Sequence, residues 1–165
     1  MRSLYLIRHA IAQERDGWRP LDQLRPLSQS GWRQAVGLAD LLADAGIVSH
    51  RSSPSVRCRD TLLPLAHAAG LPVLDDSRLA EGAAAGHGAE DLLQLLASLL
   101  GEGQRVSACS HGDVIPPLLE ASGVRSGARC PKGGVWRLDL PEDRREVVQA
   151  VYLGRPDPSG GWDSR

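Results

Sequence analysis

Two histidines and two arginines stand out by what precedes them. Arg8 and His9 end the apolar run Leu4-Tyr5-Leu6-Ile7. His111 closes Val106-Ser107-Ala108-Cys109-Ser110 and is followed by Gly112. Arg57 follows Arg51-Ser52-Ser53-Pro54-Ser55-Val56, in the first turn of an expected helix. Forked guanidinium donors match phosphate oxygens. A neutral imidazole is nucleophilic near pH 7 and can carry a covalent intermediate. Displacement at phosphorus needs the dianion held, its charge neutralised and a nucleophile placed in line. Arg8, Arg57 and His111 suit the first two tasks, and His9 suits the third. The leaving oxygen also needs a proton. Glu81, in Arg78-Leu79-Ala80-Glu81-Gly82, is the candidate acid, with Asp75, Asp76, Glu90 and Asp91 nearby. No metal or cofactor is called for, and the sequence has neither CxxC nor zinc-type Cys/His spacing. Taken singly, each residue has a plainer reading, since a histidine at a strand end is usually structural. An arginine in a helix's first turn opposes the macrodipole, a small cost that favours a site role for Arg57.

These side chains need a scaffold that gathers strand ends. Short apolar runs read as buried strands of a parallel sheet. In open α/β sheets the ligand lies outside the carboxyl ends of the strands. Strands are expected at 3–9, 47–52, 72–74 and 105–110. Two alternating segments, 135–140 and 146–153, pair about the turn Pro141-Glu142-Asp143. Ser28 should cap a helix to about Ala45, with Trp32, Ala35, Leu38, Ala39 and Leu42 on its apolar face. Further helices are expected from Pro54 to Ala69, kinked at Pro64, from Ala89 to Leu100, and after Asp113 as a cap. Strand–helix alternation means a three-layer α/β/α sandwich with a mostly parallel central sheet. Residues 11–27, with Gly17, Pro20 and Pro26, form a loop expected to fold over the mouth of the site. Trp18, Arg19 and Arg25 are its contact-worthy side chains. Arg25 is a candidate substrate contact and equally a residue that packs the loop down. The expected domain is 1–154, with a disordered Gly/Pro/Ser/Asp-rich tail at 155–165.

Composition narrows the partners. At 165 residues the chain can bury a real core as one domain. A formal net charge of −1 gives no reason to expect nucleic acid or an anionic membrane as partner, so any positive potential must be local. No apolar run approaches a membrane span, and no signal peptide is evident. Cys58, Cys109 and Cys130 are few, odd in number and widely spaced, which points to a reduced cytoplasm. A cysteine hydrolase using Cys109 and His111 lacks a base-orienting group in the sequence. Oligomeric state is not encoded legibly.

The strand-end Arg8-His9 and His111-Gly112, with Arg57 between, resemble the histidine phosphatase superfamily of phosphoglycerate mutases and acid phosphatases. The resemblance covers about Leu4 to Leu153. Arg25-Pro26-Leu27-Ser28-Gln29-Ser30-Gly31 is similar to a segment of small bacterial phosphohistidine phosphatases. Val56-Arg57-Cys58 with Thr61, His111-Gly112-Asp113-Val114-Ile115-Pro116 and Lys132-Gly133-Gly134-Val135-Trp136 resemble the histidine phosphatase domain that follows a Nudix domain in some actinobacterial hydrolases. The resemblance implies a phosphoglycerate mutase-like fold and a cytoplasmic phosphatase working through a phosphohistidine on His9, with Glu81 as general acid. Its substrate would be a phosphorylated small molecule, a nucleotide or a phosphoprotein. Lys132 is a candidate for a second anionic group, and equally an exposed lysine in a glycine-rich turn. Two features bear on the match. Ala10 replaces the motif glycine, so a positive φ there would carry a steric cost. Glu81 is present where phosphohistidine phosphatases tend to lack the acid, which favours an ester or anhydride. A phosphomutase of the same fold is the alternative, though mutases are longer. A phospho-ligand binding domain without turnover is another, though a binder has no use for the nucleophile.

Overall fold

The computed structural model describes residues 1–101, 105–143, 146–159 and 161–163. Its strands are β1 (Arg2–Arg8), β2 (Ser49–Ser52), β3 (Val73–Asp75), β4 (Arg105–Ser110), β5 (Val135–Leu140), β6 (Gln149–Pro156) and β7 (Trp162–Asp163). The helices are α1 (Gln29–Leu42), α2 (Val56–Ala69), α3 (Ala89–Leu100) and α4 (Ile115–Ala121). Among the described residues one sheet runs in the order β3-β2-β4-β1-β5-β6-β7. The first four strands are parallel, and β5, β6 and β7 continue antiparallel. The expected sandwich is present, and its parallel half carries the strand ends that matter.

The apolar run of β1 follows from cover on both faces. Leu4 and Leu6 point into a core with Leu96, Leu99 and Leu118 of α3 and α4. Tyr5 and Ile7 point the other way, among Leu38, Leu42, Leu62 and Leu65 of α1 and α2. Period-two alternation in a sheet with helices on both sides favours an apolar residue at every position, and a polar one such as Ser3 is buried with a partner, here Asp139 at 2.7 Å. Each fully buried leucine contributes roughly 1.5–3 kcal/mol. Among the described residues no helix is long and apolar enough to cross a membrane.

Helix boundaries follow local chemistry, with two corrections. Ser28 caps α1 by accepting from Gly31 N at 3.1 Å. The buried face of α1 is Gly31, Gln34, Ala35, Leu38 and Leu42, whereas Trp32 is 37% exposed. Trp32 sits off that stripe, so its size did not bring it inside. Gly70 ends α2 in the left-handed conformation, φ 66°. Asp113 does not cap α4, which starts after Val114 with no side-chain cap. Its carboxylate instead accepts from Gly82 N at 2.6 Å and ties two site loops together.

The chain from Arg155 departs from the expected disordered tail. β6 runs on through Pro156, and β7 pairs back on it. Gln34 Nε2 donates to Pro156 O at 3.0 Å, and Arg33 Nε donates to Pro158 O at 2.9 Å. Composition alone suggested disorder, but α1 and the sheet edge offer this stretch backbone partners that composition does not register. Residues 160, 164 and 165 of that expectation lie outside the described residues.

Candidate active site

His9 leaves the carboxyl end of β1 and is 7% exposed. Its Nδ1 lies 2.8 Å from Ala10 O. A carbonyl only accepts, so Nδ1 carries the proton and Nε2 keeps its lone pair. Burial lowers the His9 pKa to about 3, helped by the positive potential of His111, Arg57 and Arg8. The ring is therefore neutral near pH 7. Ala10 is fully buried, no non-glycine residue among the described residues has positive φ, and Ala10 N donates to Thr61 Oγ1 at 2.9 Å. The steric cost attached to alanine at this position does not arise, because the backbone here takes an ordinary conformation.

His111 leaves the parallel neighbour β4, and its ring meets His9 edge-on with centroids 5.4 Å apart. Arg57 Nη2 stands 3.5 Å from His111 Nδ1, and Ser53 Oγ stands 2.8 Å from His111 Nε2. A guanidinium only donates, so Nδ1 accepts and Nε2–H donates to Ser53. Ser53 follows β2 and is fully buried. Cys109 packs in the core under α1 and α2, and burial pushes its thiol well up. It does not line the cavity, which removes the cysteine-hydrolase alternative from this site.

Arg57 sits in the first turn of α2 at 1% exposure. It donates to Asp22 O at 2.9 Å and to Glu81 Oε2 at 3.0 Å, and pairs with Asp22 Oδ2 at 3.1 Å. These anions repay the burial of a cation at a helix N-terminus. Glu81 is half exposed and also reaches Arg15 at 3.5 Å. Arg25 is buried, donating to Asp22 Oδ1 at 2.9 Å and to Gln13 O at 2.7 Å. It lines the cavity while bracing the 11–27 loop, so both readings of Arg25 have structural content. The Arg25 hydrogen bond, then Arg57 and Arg15, hold the Asp22 carboxyl below its ordinary range.

Arg8 donates from Nη1 to Cys130 O at 3.1 Å. Its guanidinium lies over Gly112, where an added Cβ would come within 2.7 Å of Arg8 Cζ. Gln34 fixes two loops at once: Nε2 donates to Lys132 O at 3.2 Å, and Oε1 accepts from Ile11 N at 3.0 Å. The Lys132 side chain lines the cavity.

Arg8, His9, Arg25, Arg57, Glu81, His111 and Lys132 all line one cavity of about 430 Å³. These seven were all expected from the sequence, whereas Trp18 and Arg19 of the 11–27 loop do not line it. Ser53, Asp22 and Gln34 were missed. Gln34 left a signal, a glutamine inside the apolar stripe of α1. Ser53 and Asp22 left none. The arrangement can hold a tetrahedral dianion between guanidinium groups beside a neutral imidazole, with a carboxyl at the rim.

Residues 4–95 match the family model of the histidine phosphatase superfamily, branch 1. The chain belongs to that superfamily. It is 32% identical over 162 residues to the 8-oxo-(d)GTP phosphatase of Mycolicibacterium smegmatis, covering 94% of this chain and 49% of the relative. The chain thus spans about half the length of that curated relative. A SixA structure from Agrobacterium tumefaciens is 25% identical, covers 90% of this chain and 97% of its own, and superposes with a TM-score of 0.69. The protein histidine phosphatase SixA complexed with tungstate shares the fold at 18% identity, covering 95% of this chain and 97% of its own, with a TM-score of 0.72.

Proposed function

We propose that this chain is a metal-independent phosphatase that works through a phosphohistidine on His9. The carrying observation is the His9 ring itself, neutral and with Nε2 unprotonated inside a cationic cavity. Arg8 and Arg57 hold the non-bridging oxygens, and the His111 ring, fixed by Arg57 and Ser53, walls the pocket beside them. His9 Nε2 forms a bond to phosphorus as the bond to the leaving oxygen breaks. Glu81 gives its proton to that oxygen. The resulting carboxylate then takes a proton from water, which attacks phospho-His9 and releases phosphate. In the free protein Glu81 pairs with Arg57. A bound dianion competes for that guanidinium and frees the Glu81 carboxyl to turn toward the leaving oxygen.

The substrate is a phosphorylated small molecule, a nucleotide or a phosphoprotein. Glu81 favours an oxygen leaving group, since imidazole leaves from a phosphoramidate with little help. The 8-oxo-(d)GTP phosphatase relative supports keeping nucleotides in the class. The test is turnover of an aryl phosphate and of phosphoramidate with chelator present, beside trapping of an acid-labile, base-stable phosphoenzyme. Both should vanish in His9→Ala, with a loss of at least a thousandfold. Turnover persisting in His9→Ala would assign the nucleophile elsewhere.

A further inference from the structure

A second cavity of about 760 Å³ adjoins the first, sharing Arg8 and Gly112 with it. Its other walls come from Pro116 of α4, the loop after α4, β5 and β6. Arg129, Trp136, Tyr152 and Arg155 are the side chains that give it chemical character. The phosphatase mechanism uses none of these four.

Its charge is one-sided. Three arginines line it, Arg8, Arg129 and Arg155, and no acidic side chain does so among the described residues. Arg155 pairs with Asp163 at 3.6 Å, but that carboxylate is not part of the lining. Three polar atoms on the lining side chains are buried without a partner: Arg8 Nε, Tyr152 Oη and Arg155 Nε. Buried polar groups are normally hydrogen-bonded, so three unpaired ones on the side chains of one cavity are unusual. Burial pushes the Tyr152 phenol up to about 12, so it remains a donor at neutral pH.

The remaining wall is aromatic. Trp136 and Tyr152 pack with centroids 5.4 Å apart. Trp136 Nε1 donates to Arg129 O at 3.0 Å, which fixes the indole relative to the loop. A pinned indole beside arginines offers a stacking surface for a flat ring and cations for an anionic substituent.

We propose that this cavity is a second binding site, for a small planar aromatic anion of the nucleoside monophosphate type. An anion there meets the guanidinium groups of Arg8, Arg129 and Arg155 without a competing lining carboxylate. Because Arg8 lines both cavities, occupancy of the second bears directly on phosphate binding in the first.

The test is calorimetric titration with guanosine 5′-monophosphate, on protein saturated with orthovanadate to fill the catalytic cavity. The nucleotide should still bind, and Arg129→Ala should weaken it about tenfold. Arg59→Ala, an equal charge change on α2, should leave its affinity unchanged. Guanosine and inorganic phosphate should each bind at least tenfold more weakly than the nucleotide. Aryl phosphate turnover without nucleotide should be the same in Arg129→Ala as in wild type. No binding, complete displacement by vanadate, or equal affinity in Arg129→Ala would overturn the site. Equal affinity for guanosine or for phosphate would overturn the ligand class. Failure of the phosphatase reading would show separately, as absent His9-dependent turnover.

Discussion

At the scale of single residues, the candidate site is defined by where protons and lone pairs are fixed. His9 Nδ1 is committed to Ala10 O and burial keeps the ring neutral. The His9 ring resonance in an NMR titration should therefore stay flat from pH 8 to about pH 5 and move only below that. An inflection near 6.5 would contradict the burial effect. The same shift has a stability sign. The unfolded chain binds a proton at His9 near pH 6.5, and the folded chain does so only near 3. The folded state thus loses stability as pH falls through that window, by on the order of a few kcal/mol. Ser53 holds His111 by its buried Nε2. Ser53→Ala leaves that donor with only the weak Cys58 thiol contact at 3.5 Å. It should cost about 1–3 kcal/mol in a denaturant melt, and lower kcat about tenfold. Gly112 gives a contrasting case. An alanine there meets the far end of the Arg8 side chain. Gly112→Ala should push the guanidinium aside, raising KM for an aryl phosphate at least tenfold while the melting temperature barely changes.

At the scale of elements, strand ends and helix starts do the positioning. His9, Ser53 and His111 leave the parallel neighbours β1, β2 and β4, and α2 turns Arg57 back over them. The 11–27 loop is held to the start of α1, where Ser28 N donates to Ile11 O at 3.0 Å. Gly31 is what allows that approach. A Cβ at this position would lie 1.9 Å from Ile11 O, against backbone that cannot rotate away. Gly31→Ala should destabilise the fold by roughly 1–3 kcal/mol or more in a thermal melt, and reduce activity through the displaced loop. A melt matching wild type would show that the loop is not anchored there. The glycine in the Arg25–Gly31 segment therefore has a packing reason and no catalytic one.

At the scale of the whole molecule, the C-terminal strand is part of the domain that builds the site. Gln34 links Pro156, Lys132 and Ile11 through one amide. Pro156 is buried against α1, where a Cβ on Gly37 would come within 2.8 Å of it. Truncation after Leu153 should lower stability by about 1–3 kcal/mol, the cost of leaving one N–H of the buried Gln34 amide unpaired. It should also weaken phosphate binding by loosening the Lys132 loop, and an unchanged melt and KM would argue that the strand is dispensable. The sequence by itself determined the layers, the strand ends and the pairing of Arg8-His9 with Arg57 and His111. Those signals are local: an apolar run, its polar end, a capping residue and a stop. Only the tertiary structure decided the partners that orient them. Ser53 meets His111 across 58 positions, and Asp22 meets Arg57 across 35. Only folding brings such residues together, and nothing in the neighbourhood of a serine or an aspartate announces its distant partner. The strand at Arg155 was hidden for the same reason, since it is held by Arg33 and Gln34 of α1 and by the return strand β7, which composition does not register.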